Sequence, residues 1–206
     1  MLKRGWFWTI VGGLLPVAAG FAAGTFPPGK NDHAWAYPIA PNVFLGMSVA
    51  LALAHVLIAV GYDDIADRTS GGAARSALQV GGIGLLIAGG TEIWSGTLAR
   101  VDRGSQAIVN LNTGYAVAGV LVLAGTLGAG IALARSWTRV AVPLLVNGVI
   151  LLAGVAPAFA WSVLGKGDAP RIAALTVWNL SYVWLGLALK KPRRPAAVRS
   201  QIHRES

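Results

Sequence analysis

Six runs of about twenty mostly apolar residues, separated by short polar breaks, dominate this chain. A hydrocarbon core of about 30 Å is crossed by roughly 20 residues of α-helix. A soluble core of similar size would show amphipathic periods instead of unbroken blocks. The expected fold is therefore an all-α membrane protein, a bundle of six transmembrane helices. The expected spans are Trp6–Phe26, Asn42–Tyr62, Ala73–Leu98, Ile108–Ala134, Thr138–Leu164 and Ala169–Leu189. Residues 1–190 form one domain in this reading. Residues 191–206 form a basic, proline-broken tail that meets anionic headgroups.

Composition agrees. Of the 206 residues 55% are hydrophobic and 12% charged, where soluble domains carry about a quarter charged residues. Mean hydropathy is +0.61. The net charge of +9 would point to nucleic acid in a soluble protein. Here the basic residues flank the apolar blocks, as orientation and the lipid surface require, so the bilayer and not nucleic acid is the expected partner. With no cysteine, disulfides and thiolate metal sites are excluded, and no cofactor is implied.

Lys and Arg set the topology. One side receives Lys3, Arg4, Arg68, Arg75, Arg135, Arg139 and six residues from Lys190 to Arg204. The other receives Lys30, Arg100, Arg103, Lys166 and Arg171. Both termini are therefore expected in the cytoplasm, and an even helix count agrees. A cleaved signal peptide ending near Ala22-Ala23-Gly24 is the alternative. Its apolar run of about twenty residues exceeds the usual 7–15. Arginine over lysine, with abundant Ala, Gly and Val, points to a bacterial plasma membrane.

Helices in lipid associate through close packing and interhelical hydrogen bonds. The 27 glycines supply the first. Gly20/Gly24, Gly46/Ala50 and Gly154/Ala158 form small-xxx-small pairs. In the third block Gly81, Gly84, Ala88, Glu92, Ser95 and Ala99 fall on one helical stripe, flanked by Gly89 and Gly96. Glu92 is thus expected to point into the bundle. An ionised acid at that depth is costly without a partner, and ionisable residues in spans mark functional sites. Asn110 and Asn112, across a short loop, are its expected hydrogen-bond partners.

Other polar residues in the spans extend this set. Ser48, His55 and Tyr62 lie a heptad apart, Asn112, Tyr115, Gly119 and Thr126 align, and Asn147, Asn179 and Tyr182 lie deeper. Trp6, Trp8, Trp35, Tyr37, Trp94, Trp137 and Trp161 fall near span ends, as an aromatic belt requires. Trp178, Asn179, Tyr182 and Trp184 are candidates to line a small-molecule cavity. His55 has no second span histidine beside it, so a metal centre is not expected there. The Gly-rich run GGIGLLIAGG lies inside a span and serves packing.

One run is motif-like. Asp63-Asp64-Ile65-Ala66-Asp67 spells DDxxD, a spacing that puts carboxylates on one side of a helical turn where they can hold Mg²⁺ against a diphosphate. It resembles the aspartate-rich motif of prenyl-transferring and terpene-cyclising enzymes over these five residues. Those families use a second facing acidic motif, which the sequence lacks. Gly71, Ala74 and Arg75 resemble part of the signature of CDP-alcohol phosphatidyltransferases, with Ala88 and Glu92 standing where further aspartates would complete it.

Three functions follow as expectations. The leading one is a membrane protein that binds or transports a small solute through a polar core lined by Glu92, Asn112, Asn110 and Asn179, with His55 coupling it to protons. The second is a Mg-dependent enzyme acting on a lipid or prenyl diphosphate through Asp63, Asp64 and Asp67. The third is a non-catalytic or stress-related membrane subunit.

Overall fold

The computed structural model describes residues 4–27, 29–158 and 169–190. The basic tail, Trp161, Lys166 and residues 159–164 of the fifth expected span lie outside them. Among the described residues six helices are long and apolar enough to cross a membrane. They are α1 (Gly5–Ala23), α2 (Pro41–Arg68), α3 (Gly72–Thr97), α4 (Gln106–Leu133), α5 (Thr138–Ala158) and α6 (Ala169–Lys190). Each packs antiparallel on its sequence neighbour, and α6 closes the ring on α1. The start of α1 and the end of α6 meet at one end, here the terminal end, where Lys190 Nζ stands 5.4 Å from the Trp6 ring centroid. The opposite end carries the connections 24–40 and 98–105 and is called the cap end.

Two elements differ from expectation. The second helix runs one and a half turns past Tyr62, so the DDIAD run is helical. Ile65 and Ala66 are buried on its inner face, and Asp64 pairs with Arg68 one turn on, at 2.7 Å. Both effects hold the helix together. In the fifth helix the regular α-turns end at Ile150 and a π-turn follows over Leu151–Val155. An i→i+5 turn adds one residue to the register. It rotates every side chain beyond it by about 100° relative to Asn147.

Close approach between helices depends on glycine, but not on the pairs read from the sequence. The Cβ that Gly12 lacks would stand 2.8 Å from the Ala54 carbonyl of α2, and that of Gly13 would stand 2.7 Å from the Asn179 carbonyl of α6. Gly186 meets the Trp6 carbonyl in the same way, and Gly125 lies backbone to backbone against Gly81. By contrast Gly20 and Gly46 have nothing within 4 Å, and Gly24 and Gly154 meet only their own helices. A small residue permits approach on whichever face it occupies, and the spacing alone does not say which face is covered. The unused pairs all sit in the cap-end half, where α1 leaves an open groove against α2 along Ala19, Ala23, Val43 and Met47.

Candidate functional site

The interior polar groups form two layers. The deeper one joins four helices near the middle and terminal half of the bundle. Asn147 of α5 donates from Nδ2 to Ser181 Oγ (2.6 Å), and its Oδ1 accepts from Trp178 Nε1 (3.2 Å), both partners on α6. Ser181 Oγ donates to the Trp178 carbonyl, which fixes it as the acceptor for Asn147. Tyr62 of α2 and Thr126 of α4 share a hydrogen bond of 2.8 Å. The Tyr182 ring packs edge-on against Trp178, with centroids 5.4 Å apart. Its buried hydroxyl has Tyr62 and Asn147 as polar neighbours but closes a hydrogen bond to neither. Tyr62, Thr126, Asn147 and Tyr182 are each at most 1% exposed. This layer is a closed polar and aromatic plug.

The second layer centres on Glu92 of α3, about three turns nearer the cap end than Gly81, which meets the Tyr62 ring. Successive residues turn by about 100° around a helix. Gly89 and Gly96 of α3 face α2, against Ala52 and Ser48, while Gly84 and Thr91 face α4, against Val122 and Gly114. Glu92 lies between these two flanks, so its side chain points to the axis of the ring. It remains partly accessible. Its hydrogen-bond partner is Tyr115 of α4, one turn deeper than the expected asparagines. Asn112 is exposed, and Asn110 is exposed and accepts from Gln106 Nε2 within its own helix (3.0 Å). The expectation named the right helix. It missed the phase, because Tyr115 shares the axis-facing side with Thr126 while Asn110 turns away.

Two buried groups flank the acid on α2. Ser48 is fully buried against Gly96, and its Oγ has no hydrogen-bond partner. His55 is buried beside Gly89, and its Nδ1 has nothing beyond the backbone of its own helix at Leu51. Buried polar atoms are rarely left unpaired, and both of these are closed off from solvent. At the cap, Trp35 reaches down from the 24–40 connection and donates from Nε1 to Ser95 Oγ (2.8 Å), one turn above Glu92 on the same face. The connection is pinned to 98–105 by an isolated bridge between Ala34 and Asp102. Arg103 adds Nε to the Ala34 carbonyl (3.0 Å), Nη2 to the Tyr37 carbonyl and a cation–π contact with the Tyr37 ring.

The remaining candidates lie elsewhere. Asn179 folds back onto the Leu175 carbonyl (2.8 Å) and lies on the α1 side, away from Glu92. Trp178 and Tyr182 belong to the closed plug, and Trp184 faces outward, 44% exposed. The three aspartates do not converge. Asp64 is held by Arg68 and lies against Gly5 at the first turn of α1, while Asp63 and Asp67 are exposed. They edge a shallow groove of about 670 Å³ between α2 and α3 whose other walls include Val56, Val60, Ile83 and Leu86. Among the described residues no three His, Cys, Asp or Glu are placed to hold a metal ion. No protein-family model, curated protein or solved structure matches this chain.

Proposed function

We propose that this chain is a multi-pass membrane protein that binds a small polar solute at Glu92, within the cap-end half of its bundle. The observation that carries the reading is the acid itself. It faces the ring axis from a glycine-lined helix, has Tyr115 as its partner, and is left partly accessible. A carboxylate offers about four lone-pair positions, so one phenol leaves most of them for a ligand. An acid that served only to lock α3 on α4 would be covered by that contact.

The Lys and Arg distribution supports a terminal end in the cytoplasm, with the basic tail on anionic headgroups, and a cap end outside, and the Arg-, Ala-, Gly- and Val-rich composition supports a bacterial cell. A solute then enters from the outer face and meets the closed plug of Tyr62, Thr126, Tyr182 and Asn147 below it. Transport requires that plug to open; binding does not. The test is solute-dependent tryptophan fluorescence and flux in liposomes containing purified protein. Glu92→Gln is expected to abolish both responses while far-ultraviolet circular dichroism and the thermal midpoint stay unchanged. Unaltered binding in that variant would remove Glu92 from the mechanism and sink the proposal.

A further inference from the structure

The groove between α2 and α3 at the terminal end joins charged and apolar surface, far from Glu92. Val56 to Asp67 run along it, about 16 Å of helix. Ala59 of α2 and Gly82 of α3 keep it open, since a Cβ at Gly82 would meet nothing within 4 Å. Val60, Ile83 and Leu86 form its apolar walls. Ile83 and Leu86 are 53% and 52% exposed, so the groove faces outward from the ring. Its polar end holds Asp63, Asp67 and Gln79. The 28 residues of α2 make about 42 Å of helix against a hydrocarbon core of about 30 Å. Charged side chains are costly inside that core, so the last turns of α2, which carry the aspartates, stand at headgroup level. The apolar walls then open into the lipid.

An alkyl chain alone gains little there, because lipid tails are as apolar as the walls. The acids select the occupant. Asp63 and Asp67 are exposed and lie one turn apart on one face of α2, roughly 5–6 Å between Cβ atoms. Among the described residues neither forms an ion pair, whereas Asp64 is paired with Arg68 at 2.7 Å. No Lys or Arg is among the described residues that line the groove, and Arg75 beside it donates from Nε to the Ala66 carbonyl (3.3 Å). A phosphate-bearing lipid head would meet two like charges at that end, while a positive head is attracted by both. A bare metal cation would leave the apolar length unused. We infer that the groove holds a single-chain amphiphile with a positively charged head, taken up from the bilayer, its chain over Ala59 and Gly82 and its head between Asp63 and Asp67. This site requires the six helices to span a bilayer and nothing of Glu92.

The probes are nitroxide-labelled single-chain amphiphiles with trimethylammonium, hydroxyl or phosphocholine heads, added to the full chain in phosphatidylcholine vesicles. Electron paramagnetic resonance reads the fraction of each probe whose motion the protein restricts. The trimethylammonium probe is expected to associate at least about threefold more strongly than the other two, the factor that two exposed ion pairs supply. That preference should shrink as salt is raised. Asp63→Asn combined with Asp67→Asn should bring it down to the level of the hydroxyl probe. Gly82→Leu, which fills the groove, should release the ammonium probe, while Gly90→Leu, at an equally open position of α3 outside the groove, should not. Circular dichroism checks that each variant keeps its helices. Equal restriction of all three heads, or a preference that survives the double aspartate variant, overturns the proposal. So does restriction indifferent to Gly82→Leu, which would leave the acids acting without the groove. Restriction that emerges only when Arg193, Arg194 and Arg199 are all changed to Gln would make the basic tail the occupant and overturn it as well.

Discussion

Replacing Gly84 by alanine tests whether α3 and α4 are held at a distance set by one missing methyl group. A Cβ at that position would lie 2.7 Å from the Val122 nitrogen, 2.8 Å from Leu121 Cβ and 3.0 Å from the Ala118 carbonyl oxygen. Non-bonded heavy atoms settle at about 3.5–4.0 Å, so the helices must separate by roughly 0.7 Å or more, and two of the three neighbours are backbone. Overpacking of this kind costs about 1–3 kcal/mol. Against it stands a gain of about 0.5–1 kcal/mol from replacing a mid-helix glycine. Gly90, on the same helix, has nothing within 4 Å, so Gly90→Ala collects the gain without the clash. The difference between the two variants removes the common term and leaves about 1–3 kcal/mol from packing alone. It is measured by reversible unfolding in mixed micelles, with helicity followed by circular dichroism. A difference below about 0.5 kcal/mol, within the error of additivity, would refute the argument that backbone contact at Gly84 fixes the α3–α4 spacing.

Other substitutions probe the plug and the cap. Asn147→Leu removes both side-chain bonds to α6 and leaves Trp178 Nε1 and Tyr182 without their polar neighbour; a loss of about 1–3 kcal/mol is expected in the same unfolding assay. Tyr62→Phe and Thr126→Val each break the α2–α4 bond. Their double variant should cost less than the sum of the singles, and strict additivity in that cycle would deny the bond any coupling. Arg103→Gln takes away the guanidinium contacts to the Ala34 and Tyr37 carbonyls. Faster amide exchange confined to residues 29–40 and 98–105 is expected by mass spectrometry, with the helical core unaffected. Asp64→Asn weakens the pair with Arg68, which is partly exposed, so a change of under about 1 kcal/mol is expected.

The sequence carried the number of helices and their order because apolar length is a one-dimensional signal. It also placed Glu92, since the Gly81–Ala99 stripe defines a face whatever packs on it. It did not carry the partner. Asn112 and Tyr115 are three residues apart on α4, less than one turn, and which of them faces the axis depends on the rotation of the whole helix. Gly114 and Ala118 set that rotation by packing on α3. The plug was half legible. Asn147, Tyr62, Tyr182 and Thr126 stood out as polar groups in apolar spans, but Ser181 did not, and nothing in the chain tied Trp178 to Asn147. The expected second span stops at Tyr62 because the charged DDIAD run marks a polar break, while the buried Ile65 and Ala66 within it continue the inner face of α2 to Arg68.

The distribution of glycine contacts explains how one small bundle combines a closed end with an accessible acid. On the terminal side α1 meets α2 and α6 through Gly5, Gly12, Gly13 and Gly186, and α4 meets α5 through Gly130 and Gly148. Toward the cap the corresponding small residues, Gly20, Gly46 and Gly119, meet nothing within 4 Å. The pair α1–α2 is thus in close contact below and leaves a groove above, while α2 and α3 meet closely toward the cap through Gly89 and Gly96. Hydrogen-bonded groups that exclude solvent occupy the locked half. Toward the cap Glu92 keeps partial exposure, and the buried Ser48 and His55 of α2 lie against Gly96 and Gly89 of α3. A conformational change that admits a solute past the plug must therefore shift α5 and α6 against α2 and α4, because the hydrogen bonds and ring contacts of the plug join those two pairs. The α2–α3 seam that presents Glu92 can stay intact while it happens.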